Sequence, residues 1–284
     1  MSPPDRGARS ARGGGWRLAA LSLALSLALG VAVAEVWLRI DGFSYYWALA
    51  EYPDAELGWT PLPGATAWQR FEGEARITIN ARGFRDALHP LGKPPGSLRV
   101  AVLGDSFTAA VQVPRERTWW RRMAARLDGC AALGGRTPEV LNFGVSGYST
   151  AQELLVWRHR AAAYAPDVVV LGFFPGNDLV ENVPGLEPGP PERPYFRLED
   201  GALVLDDRFR RRTAFRLLDS APGRAAYRLR ARLRVVQAAL RARDVLRLAL
   251  APAPEDGGEP REPGVDNRIY RPPDAPRWER SWAV

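Results

Sequence analysis

The sequence has one cysteine, Cys130, one lysine, Lys93, and two histidines, His89 and His159. A single thiol excludes an intrachain disulfide and a cysteine-built structural zinc site. Two scattered histidines make no metal site, and they are the only imidazoles available to any chemistry that needs one. Glycine and proline, 27 and 25 of 284 residues, are too few for a collagen-like or low-complexity chain. What remains is ordinary for a folded protein: 46% hydrophobic and 25% charged residues, enough to build a core in one large domain or two small ones.

With lysine almost missing, arginine carries the net charge of +7. The charge is uneven. Thirteen arginines from Arg208 to Arg247 stand against Asp219 and Asp244, which gives that segment +11 and leaves the rest of the chain mildly acidic. Charge is absent altogether from Leu18 to Ala34. At about 1.5 Å per residue this run falls slightly short of a ~30 Å hydrocarbon core. Extension to Leu38 admits only Glu35 and puts Trp16/Arg17 and Trp37/Arg39 at the two ends, flanks that suit a membrane interface. Residues 18–38 therefore read as a transmembrane signal anchor, and residues 1–17, with Arg6, Arg9, Arg12 and Arg17, as a cytoplasmic basic tail. Ala32-Val33-Ala34 also fits a signal-peptidase site. Both readings predict the same topology, with everything after residue 40 exported across the inner (plasma) membrane to the periplasmic side.

Residues 41–98 hold Gly58-Trp59, Pro63-Gly64, the alternating run Arg76-Ile77-Thr78-Ile79-Asn80 and Gly83-Phe84-Arg85, and read as short strands and turns forming an N-terminal cap. The pattern then changes. Arg99–Leu103, Glu139–Phe143 and Asp167–Phe173 are short apolar strands, separated by helical stretches over 116–128 and from Thr150 to about Tyr164. Thr150-Ala151-Gln152-Glu153 has the spacing of a capping box. This β-α-β-α-β order over residues 99–182 predicts an α/β three-layer sandwich around a parallel sheet, flavodoxin-like in arrangement. The apolar third strand suits a sheet covered on both faces.

Residues 183–250 read as an insertion: a Pro/Gly-rich start, a hairpin around Asp200-Gly201, and arginine-rich helices over 211–250 broken at Ala221-Pro222-Gly223. Leu229, Leu233, Val236 and Leu240 follow a helical spacing. The plain reading is a solvated helix lying on the domain; the sharper one is a basic amphipathic helix on an anionic membrane surface. Export argues against nucleic acid as a partner despite the charge. Residues 251–272 read as a Pro/Gly/acidic linker, and Trp278–Val284 as the start of another element. Cys130 reads as a small, at least half-buried residue, and Trp119-Trp120 as rings packed on the sheet.

Three motifs fall at the carboxyl ends of the three predicted strands, where ligands of open parallel sheets bind. They are Gly104-Asp105-Ser106-Phe107-Thr108, Asn142-Phe143-Gly144-Val145-Ser146-Gly147-Tyr148 and Gly176-Asn177-Asp178. A serine on a tight strand-to-helix turn exposes its hydroxyl, a glycine lets a backbone N–H approach a developing oxyanion, and an asparagine amide can donate to the same atom.

In this order and on this frame, the motifs resemble the SGNH, or GDSL, hydrolases over residues 58–180. The upstream Gly58-Trp59, Pro63-Gly64 and Asn80–Arg85 segments are similar to its membrane-anchored branch. The resemblance implies Ser106 as nucleophile, with its own N–H, that of Gly147 and the Asn177 side chain as the oxyanion hole. It implies no cofactor. The reaction class it implies is esterase or acyltransferase chemistry through a Ser106 acyl-enzyme, on ester groups, O-acetyl among them, of small molecules, lipids or cell-envelope polysaccharides. The family's closing Asp-x-x-His block, which supplies the base, has no counterpart after His159. Asp86-Ala87-Leu88-His89 has the spacing, but it precedes the first sheet strand instead of following the last. Two readings follow from this departure: an α/β core incomplete at its C-terminus, or a catalytically inactive binding or assembly subunit.

Overall fold

The computed structural model of the protein describes residues 15–70, 73–184 and 190–250. Helix α1, Gly15–Ile40, has no buried residue and a mean hydropathy of 2.0 over its most apolar stretch, so it is long and apolar enough to cross a membrane. The expected basic tail falls mostly outside the described residues, as do the 251–272 linker, Trp278 and Trp282.

Two antiparallel hairpins follow: β1 (Tyr52–Asp54) with β2 (Gly58–Thr60), and β3 (Thr66–Gln69) with β4 (Ala75–Thr78). In β4 the alternation read from the sequence becomes alternate burial, Ala75 and Ile77 inward and Arg76 and Thr78 outward.

The central sheet is parallel, built from β5 (Ser97–Gly104), α2 (Ser106–Ala109), α3 (Trp119–Leu127), β6 (Thr137–Asn142), α4 (Thr150–Val156) and β7 (Val168–Gly172), with strand order β6-β5-β7. Register runs from Ser97↔Thr137 to Val102↔Asn142 on one side of β5 and from Val100↔Val168 to Gly104↔Gly172 on the other. Alternation along β5 sends Val100 and Val102 to one face, under Trp120 and Met123 of α3, and Ala101 and Leu103 to the other, under Ala151 and Leu155 of α4. This gives the three layers expected. Trp120 is fully buried as read, while Trp119 is partly exposed and Cys130 is exposed, against expectation.

Two further expectations need correction. The N-cap of α4 is Ser149, not Thr150, with Gln152 Oε1 accepting from the Ser149 N–H at 3.4 Å. The cap motif fits two overlapping registers, and extended backbone at Ser149 (φ −89, ψ 167) selects the earlier one. The chain stays helical to Tyr164 through a wide turn over Trp157–Ala161. Strand β7, read as covered on both faces, is an edge among the described residues, with Val168, Val169 and Leu171 exposed by 43%, 43% and 47%.

After α5 (Asp178–Glu181) come the hairpin β8 (Tyr195–Glu199) and β9 (Ala202–Asp206), and then α6 (Thr213–Asp219), α7 (Ala221–Arg232) and α8 (Arg234–Leu250). Positive φ at Asp200 (50) and Gly201 (77) makes the two-residue turn the sequence called for. The helix break lies at Ser220, whose hydroxyl accepts from the Gly223 N–H; Ala221-Pro222-Gly223 form the first turn of α7. A second break at extended Leu233 splits the Leu229–Leu240 stripe, so α7 buries Tyr227 and Ala231 and leaves Leu229 outside. Those two residues share a core with Tyr46, Leu49, Tyr52, Ile77 and Val111.

Candidate active site

The carboxyl ends of β5, β6 and β7 meet around one small side chain. A β-carbon added at Gly104, Gly144 or Gly172 would lie 2.1, 2.4 or 2.6 Å from Thr108. Glycine at each strand end is what lets α2 seat so close beneath the sheet edge. The same contact separates the roles of the glycines in the second motif: Gly144 is a packing position, whereas Gly147 holds a left-handed φ of 78 and has open space at its β-carbon apart from Trp59 at 3.9 Å.

Asp105 caps α2, accepting from the Phe107 N–H at 2.9 Å, which places Ser106 at the helix start, half-buried. Its hydroxyl donates to Asp105 Oδ2 at 3.4 Å, a long contact. The Asn177 side chain lies beside the Asp105 carboxylate and offsets part of its burial, and its amide donates to Glu181 Oε2 at 3.3 Å. Buried Arg193 continues the chain, donating to Glu181 Oε1 at 2.9 Å and to the Gly147 carbonyl at 3.0 Å. Of the three residues singled out from sequence, Asn177 and Gly147 are thus joined through Glu181 and Arg193, and Ser106 is bonded to Asp105 beside Asn177.

Beneath this chain lies an unusual density of carboxylates. Burial, reinforced by Asp178, Asp105 and Glu181, raises Glu153 to about 9, so it is protonated at neutral pH. Glu153 is 1% exposed, and both its side-chain oxygens lack hydrogen-bond partners among the described residues. Asp178 accepts from the Phe174 N–H at 2.7 Å, yet burial, with the charges of Asp105 and Glu181, raises it to about 7. Burial raises Asp105 too, against the hydrogen bonds it receives. Sequence reasoning missed Asp105, Glu153, Glu181 and Arg193 as parts of this network. Asp105 and Asp178 sit inside the motifs themselves, but nothing local marks Arg193, which arrives from beyond the Pro/Gly-rich segment.

The histidines are placed elsewhere. His89 Nε2 lies 3.2 Å from Asp86 Oδ2, so the pair forms as its spacing allowed. Asp86 is anchored by the Asn142 N–H at 2.9 Å, and neighbouring Arg85 donates to the carbonyls of Ala109, Ala110 and Val113. His159 Nδ1 faces Glu56 at 3.5 Å. Among the described residues no hydrogen bond or ion pair joins either imidazole to Ser106. The described residues also contain no group of three or more His, Cys, Asp and Glu side chains arranged to hold a metal ion.

The fold and site define an α/β protein with a serine on the first strand-to-helix turn and polar groups gathered from the next two strand ends. Residues 102–271 match the GDSL-like Lipase/Acylhydrolase family, and the chain belongs to that family. No curated protein matches the chain. Family membership supports a hydrolytic, ester-acting role and a membrane-spanning length for α1 supports membrane association.

Proposed function

We propose that the protein is a membrane-anchored serine esterase or acyltransferase. The observation that carries this reading is the gathering of Ser106, Asn177 and Gly147 at three adjacent strand ends, Asn177 and Gly147 linked through Glu181 and Arg193 and Ser106 bonded to Asp105 beside them. In this reading Ser106 Oγ attacks an ester carbonyl, and the negative oxygen is met by the Ser106 and Gly147 N–H groups and the Asn177 amide. The alkoxide takes up the proton released by Ser106 and leaves as the alcohol, and water or a hydroxyl of a second substrate then releases the acyl group, returning a proton to Ser106. The substrates are ester groups, O-acetyl among them, of cell-envelope glycans or lipids, within reach of a domain tethered by α1 on the periplasmic side of the inner membrane.

A second reading, an inactive binding or assembly subunit, is favoured by one observation: both histidines are held by carboxylates away from the serine. Without an imidazole base, serine is a poor nucleophile at neutral pH. Reaction of the purified chain with a fluorophosphonate probe separates the readings. An esterase labels, and Ser106→Ala abolishes labelling; retention of label in that variant would remove Ser106 from the mechanism. Loss of label in His89→Ala would assign the base to the Asp86/His89 pair. Absence of label with retained binding of an acetylated glycan would establish the binding subunit.

A further inference from the structure

We infer that the second half of α8 is a membrane-surface helix that beds on anionic lipid headgroups beside the exit of α1. The inference rests on α1 being a membrane anchor. Where α8 lies is set by contacts with the end of that anchor. Glu35 Oε2 accepts from the Val235 N–H at 2.9 Å, and Arg39 donates to the Arg232 carbonyl at 2.8 Å. Just past the anchor, the Tyr45 N–H donates to Gln237 Oε1 at 2.9 Å and the Tyr45 hydroxyl to Asp244 Oδ2 at 2.9 Å. Arg241 lies 5.9 Å from the Phe43 ring. Glu35 is five residues from Ile40, the end of α1, so α8 starts within about 8 Å of that end at ~1.5 Å per residue, the level of an interface.

The faces of α8 are then assigned by helical geometry at ~100° per residue. Gln237 and Asp244 share the side that grips the protein. Ala242, Leu246, Ala249 and Leu250 share the opposite side with Val245 at its edge, and Val245, Leu246 and Leu250 are 54%, 58% and 72% exposed. Arg243 and Arg247 border this stripe beyond Leu250, and Arg241 stands on the far edge beyond Val245, toward the protein-facing side. An apolar stripe bordered by arginines is the pattern of a helix lying in an interface, its aliphatic residues among the acyl chains and its guanidinium groups at the phosphates.

Charge complementarity names the occupant. Helix α8 itself carries Arg234, Arg241, Arg243 and Arg247 against the single acid Asp244, which is engaged by Tyr45 and by Arg243 at 2.7 Å. A polybasic segment held at the membrane exit of its own chain meets anionic lipid at high local concentration.

The test places a nitroxide at Leu246→Cys in the full chain, with Cys130→Ser, in nanodiscs of phosphatidylcholine with and without phosphatidylglycerol. Collision with oxygen and with a water-soluble nickel chelate reports depth. In anionic discs the label at 246 should favour oxygen, the reverse of a label at Glu199→Cys on the β8–β9 hairpin. Adding Arg241→Gln and Arg247→Gln should return it toward the aqueous pattern. An aqueous pattern at 246 in both disc types, shielding from both reagents, or equal immersion without phosphatidylglycerol would each overturn the inference. A label at Leu27→Cys, inside α1, reads lipid if the anchor holds, so failure of the anchor is distinguishable from failure of the α8 surface.

Discussion

Thr108 shows how single residues decide whether the strand ends can close. Its side chain fills the space left by Gly104, Gly144 and Gly172, and its hydroxyl has no hydrogen-bond partner among the described residues. At Gly172 the nearest atom is Thr108 Oγ1 at 2.6 Å, and the backbone φ is one any residue adopts. Gly172→Ala should therefore cost ~1–3 kcal/mol through overpacking. Adding Thr108→Ala, which removes the obstructing atom, should restore most of that, giving a coupling visible in urea denaturation. Additive losses would place the strain elsewhere. Arg193 is the other decisive residue, because it is the cation bridging Glu181 and the Gly147 carbonyl. Arg193→Ala should destabilise by about 3 kcal/mol, near the low end for breaking a buried pair, since Glu181 keeps Asn177 and some water. A change under about 0.5 kcal/mol in the same denaturation experiment would show that the bridge is a surface feature in solution.

At the scale of elements, α7 and α8 show why helical periodicity was an incomplete guide. Leu229, Leu233, Val236 and Leu240 satisfy a helical spacing, yet Leu233 is extended, and the helix restarts with its Val235 N–H donating to Glu35. A carboxylate from 200 residues away replaces a local cap. Glu35→Ala should thus raise hydrogen exchange at residues 235–238 roughly fivefold, as expected for loss of a cap worth ~1 kcal/mol. Unchanged exchange there would mean that packing alone sets the start of α8. The strands were more legible. A parallel strand is marked by an unbroken apolar run and ends where glycine appears, and β5, β6 and β7 all fall within two residues of their expected starts. The α4 cap was displaced by one residue because two overlapping box patterns are equivalent until the backbone chooses.

For the whole molecule, packing three strand ends together concentrates acid in one place. Glu153 and Asp178 are raised to about 9 and about 7, chiefly by burial, so the folded chain holds protons that the unfolded chain releases near pH ~4. Their stabilising contribution is complete below that pH and is lost as pH rises through about 7 and then about 9. Thermal melts should show stability declining across this window. Glu153→Gln, which removes one of the two titrations, should flatten the decline and melt higher than the parent at pH ~8, while matching it at pH ~4. A parent whose melting point rises steadily across the window would refute the assignment.

Local chemistry determined the apolar span of α1, the strand runs and the Asp200-Gly201 turn, while Ser106, Gly147 and Asn177 were singled out by the resemblance of their motifs to the GDSL hydrolases. Hydropathy, φ preference and strand-end position are properties of short windows, so they can be read without a fold. Tertiary structure alone decided that Arg193 closes the chain between Asn177 and Gly147, that His89 faces Asp86 and His159 faces Glu56, and that α8 begins against α1. Each of those facts pairs residues far apart in the chain. Burial and distance, which set their charges and partners, exist only once the sheet has brought them together.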